Sequence, residues 1–133
     1  MNPPVTPIRL EPILLGMLRE RMPGVTFGSL MPDTPPKGDS CTIVAIPQGM
    51  QTAITQWVRV TLLVRSLRAD GTGDLQRAAD TWTQAAGVIL DAAATRPLTG
   101  ASLESGPQRL AIDDAQDIAM YGAILCTVDI TRQ

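Results

Sequence analysis

From Gln56 to Arg68 the side chains alternate with a period of two. Val58, Val60, Leu62 and Val64 fall on one face, and Trp57, Arg59, Thr61, Leu63 and Arg65 on the other. A helix would scatter these apolar residues around its axis, so the segment predicts an extended strand with two unlike faces. The apolar face requires a covering layer. The mixed face suits water or another subunit.

A candidate for that layer follows at once. Asp70-Gly71-Thr72-Gly73-Asp74 reads as a turn, with Asp74 an N-cap whose carboxylate can accept from the first free amides of a helix. Leu75, Ala78, Ala79, Trp82, Ala86, Ile89, Leu90 and Ala93 then recur at the spacing of one buried helical face over residues 75 to 94. Gln76, Arg77, Asp80, Gln84 and Asp91 occupy the opposite face. Gly87 costs about 1 kcal/mol relative to Ala inside a helix, a cost that close approach to the sheet would offset.

The remaining elements are less regular. Ile8, Ile13, Leu14, Met17 and Leu18 predict an amphipathic helix over residues 8 to 22, with Pro12 in its first turn and Pro23-Gly24 as its stop. Val25-Thr26-Phe27 is a brief strand before a Pro-rich loop that includes Pro32 to Pro36. Cys41 to Ile46 reads as a short strand closed by Pro47, and residues 47 to 55 as a hairpin loop. Leu103 to Ile112 reads as a strand interrupted near Gly106-Pro107, bent or at an edge. Asp113, Asp114 and Asp117 sit in an acidic turn. A final long strand alternates Met120, Gly122, Ile124, Cys126, Val128 and Ile130 with Tyr121, Ala123, Leu125, Thr127 and Asp129. The order α, β, β, β, α, β, β predicts a single α+β domain over residues 1 to 133. It holds one mainly antiparallel sheet of about four to five strands packed by two helices.

Composition narrows the chemistry. The 133 residues contain 11 basic, 13 acidic and no His side chains, so tight phosphate-driven binding to a duplex is not expected. The commonest general base and metal ligand is missing. No Ser or Cys has a His partner for nucleophilic catalysis, and no enzyme activity, cofactor or metal is expected. Aromatics make up 3%, leaving little surface for stacking on bases or sugars. Cys41 and Cys126 each lie inside an apolar run and read as buried thiols rather than a disulfide. The short apolar stretch from Ile13 to Leu18, followed by Arg19-Glu20-Arg21, reads neither as a signal peptide nor as a membrane span.

Three groups invite a functional reading beside a plain one. The carboxylates at Asp113, Asp114 and Asp117 lack the spacing of a calcium loop, and a solvated turn explains them. Gly71-Thr72-Gly73-Asp74 lacks the Lys and hydroxyl of a phosphate loop and suits a structural turn. Arg59, Arg65 and Arg68 form a spaced basic stripe. It is either a solvated sheet face, or the lining of a subunit interface or of a ring lumen through which nucleic acid passes without tight binding.

The layout of N-terminal helix, Pro-rich loop, the strand Trp57-Val58-Arg59-Val60-Thr61-Leu62-Leu63-Val64-Arg65, an Ala-rich helix and two closing strands resembles the tail terminator (tail completion) proteins of long-tailed bacteriophages. Ala78-Ala79, Ile89-Leu90-Asp91, Ser105-Gly106-Pro107-Gln108-Arg109-Leu110 and the run from Tyr121 to Ile130 carry the likeness. It is a likeness of order and texture, and Pro32 to Pro36 have no counterpart in it.

That resemblance implies a virion protein at the tail–neck junction, assembled in the host cytoplasm. Its copies would form a ring, of six by the family pattern, that caps the tail tube, ends its polymerisation and offers a surface for head joining. The implied partners are other copies of the chain, the tail tube protein and a head-completion or neck protein, with DNA passing through the lumen and no membrane. Met31, Met50 and Ile54, expected in loops, become candidate contact residues. Another neck or head-completion protein is the neighbouring reading. Without the resemblance, the same fold could be a small cytoplasmic ligand-binding domain, which would need a concave pocket with converging polar groups.

Overall fold

The computed structural model describes residues 5–7, 10–29, 38–52, 55–68, 72–93, 95, 98–111 and 118–132. The elements run β1 (Val5–Pro7), α1 (Leu10–Arg21), β2 (Val25–Gly28), β3 (Gly38–Met50), β4 (Thr55–Leu67), α2 (Leu75–Asp91), β5 (Leu98–Ala111) and β6 (Ile118–Arg132). This is the expected α+β architecture. The element no sequence pattern signalled is β1, three residues that pair antiparallel with Ile130, Thr131 and Arg132. Such a segment is too short to show a period of its own.

The sheet order is β1-β6-β4-β3-β2, with β5 also paired to β6. All pairings are antiparallel except β2 with β3. The alternating strand β4 lies in the middle, Val60 facing Ala45 on one side and Ile124 on the other. Its even-numbered residues from Val58 to Val64 are buried, 3% exposed or less. They meet a core supplied by Ile43, Cys41, Ile124, Cys126 and Val128 from the neighbouring strands and by both helices.

Helix α2 covers β4, β5 and β6, and α1 packs beside it over β2 and β3. Asp74 is the N-cap, its carboxylate accepting from the Arg77 amide at 3.1 Å. The buried face of α2 is wider than the periodicity alone marks. Thr81, Ala85 and Val88 join Ala78, Trp82, Ala86 and Ile89, because the helix touches α1 as well as the sheet. In α1 the buried row is Leu10, Leu14 and Leu18, continued by Met22, while Ile13 is exposed. Arg19 ties the helix to β2 by donating to the Phe27 carbonyl at 2.9 Å.

Two close approaches set the depth of the core. Trp82 donates from Nε1 to the Leu62 carbonyl at 3.0 Å, and its ring lies over Gly122. Gly122 and Gly106 pack backbone to backbone, so that a Cβ on Gly106 would stand 2.6 Å from the Gly122 Cα. Gly106 also has φ +104, a conformation that favours glycine. Gly87 has a different role from the one expected of it. Among the described residues nothing lies within 4 Å of where its Cβ would be, so no sheet contact offsets its cost.

The expectation of a short strand ended by Pro47 is corrected. Strand β3 runs through Pro47 to Met50, with a register shift between Pro47 and Gly49. Proline is compatible here because, among the described residues, no strand lies on the other side of this half of β3, where its missing amide would be needed. Gly49, at φ +129, absorbs the bulge. The connection between the two strands therefore lies between Met50 and Thr55 rather than over 47 to 55. Strand β5 likewise begins at Leu98, earlier than expected, and keeps the irregularity foreseen near Gly106-Pro107 as register shifts along its pairing with β6.

Candidate functional site

The face of the sheet away from the helices presents the odd residues of β4. Trp57, Arg59, Thr61 and Leu63 are half-buried there, beside Tyr121 and Leu125 of β6. Among the described residues no helix packs on this face. It continues onto β3 at Val44 and Ile46, which sit opposite Thr61 and Arg59. Val44 is 37%, Ile46 47% and Met50 53% exposed. Residues 40–58 carry no charged side chain, so this hairpin is both uncharged and accessible.

The hairpin is held in shape by its own bonds. The Gln51 and Thr52 amides donate to the Thr55 carbonyl at 3.0 and 3.2 Å. The Thr55 amide donates to Thr52 Oγ1 at 3.1 Å, and the Thr55 hydroxyl donates to Gln51 Oε1 at 2.9 Å. Bonds already made before docking reduce the entropy lost on binding.

The arginine stripe is not a row of exposed cations. Arg59 donates through Nε and Nη2 to the Glu104 carboxylate at 2.8 and 2.6 Å. That partner raises the guanidinium pKa and lowers that of the carboxyl, chiefly through the hydrogen bonds. Arg65 is 5% exposed, which corrects its place in an accessible lining. Arg68 is exposed, donates to Thr72 Oγ1 and the Gly73 carbonyl, and lies 3.9 Å from the Asp74 carboxylate. Alternation placed Arg59 and Arg65 on one face correctly. It gave no access to Glu104, a partner 45 residues away.

Met50 is exposed as expected, though it ends a strand rather than sitting in a loop. Met31 and Ile54 lie outside the described residues, as do Pro32 to Pro36 and Asp113, Asp114 and Asp117. Sequence reasoning passed over Val44 and Ile46, placed only in a short strand closed by Pro47. The absence of charge from 40–58 is the signal that could have marked them.

Elsewhere the polar groups hold structure. Asp39, 8% exposed, accepts from Ser66 Oγ and from Arg77 Nε at 3.0 Å, fastening the start of α2 to the ends of β3 and β4. A shallow cleft of about 230 Å³ between the helices is bordered by Met17, Glu20, Arg21 and Asp91. Its charged groups are exposed, Arg21 lying 3.8 Å from Asp91, and they do not converge inward. Cys41 and Cys126 are buried free thiols, desolvation pushing them up to about 12 and about 11. Cys41 pairs with Val64 and Cys126 with Val58 on β4, a separation of roughly 20 Å along the strand, too far for a disulfide. Among the described residues no group of His, Cys, Asp and Glu gathers to hold a metal ion, and no helix is long and apolar enough to cross a membrane.

Comparison with protein-family models and with curated proteins returned no match.

Proposed function

We propose that this protein is a non-enzymatic assembly protein whose copies form a ring capping the tail tube of a long-tailed bacteriophage. In this reading it ends tube growth, leaves a surface for the head-completion or neck protein, and resides at the tail–neck junction of the virion. The observation that carries the assembly half of the reading is the uncharged hairpin, with Val44 and Ile46 exposed on a sheet face that no helix covers among the described residues and Met50 exposed at its end. A water-facing strand normally shows charge on such a face. The phage half rests on the resemblance of the sequence in element order and texture.

A closed ring needs two different surfaces per copy that fit each other head to tail. The hairpin end at Met50 and the β4–β6 face supply two such surfaces. Arg59, held by Glu104, and Arg65, buried in the sheet, leave DNA in the lumen no row of bare β4 cations to grip, which suits passage rather than binding.

The test is the solution mass of the purified protein by light scattering over a wide concentration range, with electron micrographs of the same sample and of sample mixed with purified tail tubes. Closed rings, or rings seated on tube ends, are expected. A strict monomer that also fails to cap tubes overturns the proposal. Binding to isolated heads but not to tubes would reassign it to the head-completion side of the neck.

A further inference from the structure

We infer that neighbouring copies join through side chains, the β3–β4 hairpin of one copy seating on the β4–β6 face of the next, and not by extending the sheet from edge to edge. This rests on the ring reading and names the contact within it.

The exposed edges of β3 and β5 argue against strand addition there. In an antiparallel ladder, alternate residues turn their amides toward and away from the partner strand. On β3 the Ala45 amide is used outward, donating to Glu11 Oε2 of α1 at 3.4 Å. Two residues on, at the next outward position, stands Pro47, which has no amide to offer. The row of donors an added strand would need is thus occupied at one site and missing at the next. The β5 edge is guarded differently. Its pairing with β6 shifts register between Leu98 and Gly100, between Leu103 and Ser105, and between Ser105 and Gln108. It also carries Glu104, Pro107 and Arg109. Bulges, proline and charge are the means by which natural edges avoid pairing.

The occupant follows from charge. The hairpin from 40 to 58 has no charge with which to match a charged partner. The β4–β6 face offers Leu63, Tyr121 and Leu125, all half-buried. Its central ions, Arg59 and Glu104, already satisfy each other at 2.6 and 2.8 Å. An uncharged arm can cover that pair without stranding a lone ion, whereas covering an unpaired charge is costly. The chain thus carries both an uncharged arm and a face that tolerates one. Residues 47–56 include no aromatic and no basic side chain, the groups that interfacial membrane insertion uses.

The test compares Ile46→Lys and Met50→Lys on the hairpin, Tyr121→Lys on the receiving face, and Leu103→Lys as a control. Leu103 is 54% exposed, as open as Met50, but lies on β5. Circular dichroism and melting curves establish that each variant folds. The hairpin and face variants should each raise the concentration needed for ring formation, in solution or on tube ends, by about tenfold or more, because a buried ammonium has no partner. Leu103→Lys should assemble as the wild type does. An equimolar mixture of Met50→Lys and Tyr121→Lys should give dimers, since one intact arm end meets one intact face. Rings that survive the hairpin substitutions, or that Leu103→Lys alone abolishes, overturn the inference and leave the ring reading standing. A wild-type protein that neither self-associates nor caps tubes overturns the ring reading itself. Hairpin-dependent binding to neutral lipid vesicles without self-association would overturn both.

Discussion

The indole Nε1 of Trp82 reaches the carbonyl oxygen of Leu62 at 3.0 Å, joining the middle of α2 to the middle of the central strand. Both residues are buried, so the bond is shielded from water at each end. Trp82→Phe keeps much of the ring's packing and removes the donor, and should cost about 1–3 kcal/mol. Trp82→Ala adds a cavity under α2 and should cost about 3–5 kcal/mol. Urea unfolding followed by circular dichroism separates the two; equal losses would mean that packing contributes nothing beyond the bond.

The two glycines Gly87 and Gly122 should respond to alanine in opposite directions. At Gly122 a Cβ would run into the Trp82 ring and stand 2.6 Å from the Ser105 carbonyl oxygen. Backbone cannot yield as a side chain can, so Gly122→Ala should destabilise by about 1–3 kcal/mol or more. Gly87 has open space around it and lies mid-helix. Gly87→Ala should stabilise by about 1 kcal/mol, seen as a raised Tm.

Acidification should release Arg59. Hydrogen bonds from the guanidinium hold the Glu104 carboxyl below the usual carboxylate range. A lowered folded-state pKa gives stability that is present above the unfolded value, about 4.3, and is lost as pH falls through the folded one. The pair is well exposed, so the effect on global stability should be small and weakened by salt. An NMR titration of Glu104 should show a value below 4.3 that returns to it in Arg59→Gln. An unchanged titration would mean the pair does not form in solution.

Both thiols should be silent in the native protein. Cys41 at about 12 and Cys126 at about 11 are almost wholly protonated at neutral pH, and the thiolate is the reactive form. An aromatic disulfide reagent at pH 8 should modify neither until denaturant is added, when both react. Rapid labelling under native conditions would contradict the burial.

Where a residue's role is set by its neighbours along the chain, the sequence was enough. The period of two from Val58 to Val64 identified the core face of β4, the helical spacing after the Asp74 cap identified α2, and the alternation from Met120 identified β6, because burial of one face leaves a local periodic trace. Where the role depends on what lies across the sheet, the sequence was silent. Pro47 reads as a strand terminator until its edge of β3 is seen to have no strand beside it among the described residues, at which point its missing amide becomes harmless. Arg59 and Arg65 read as twins on one face. Only the tertiary structure gives one a Glu104 partner and buries the other. The same holds for β1, for the parallel pairing of β2 with β3 and for the Gly106–Gly122 contact. Local periodicity decides which face of an element is apolar, while strand neighbours, ion pairs and edges are chosen by contacts between residues distant in the chain, which leave no periodic mark.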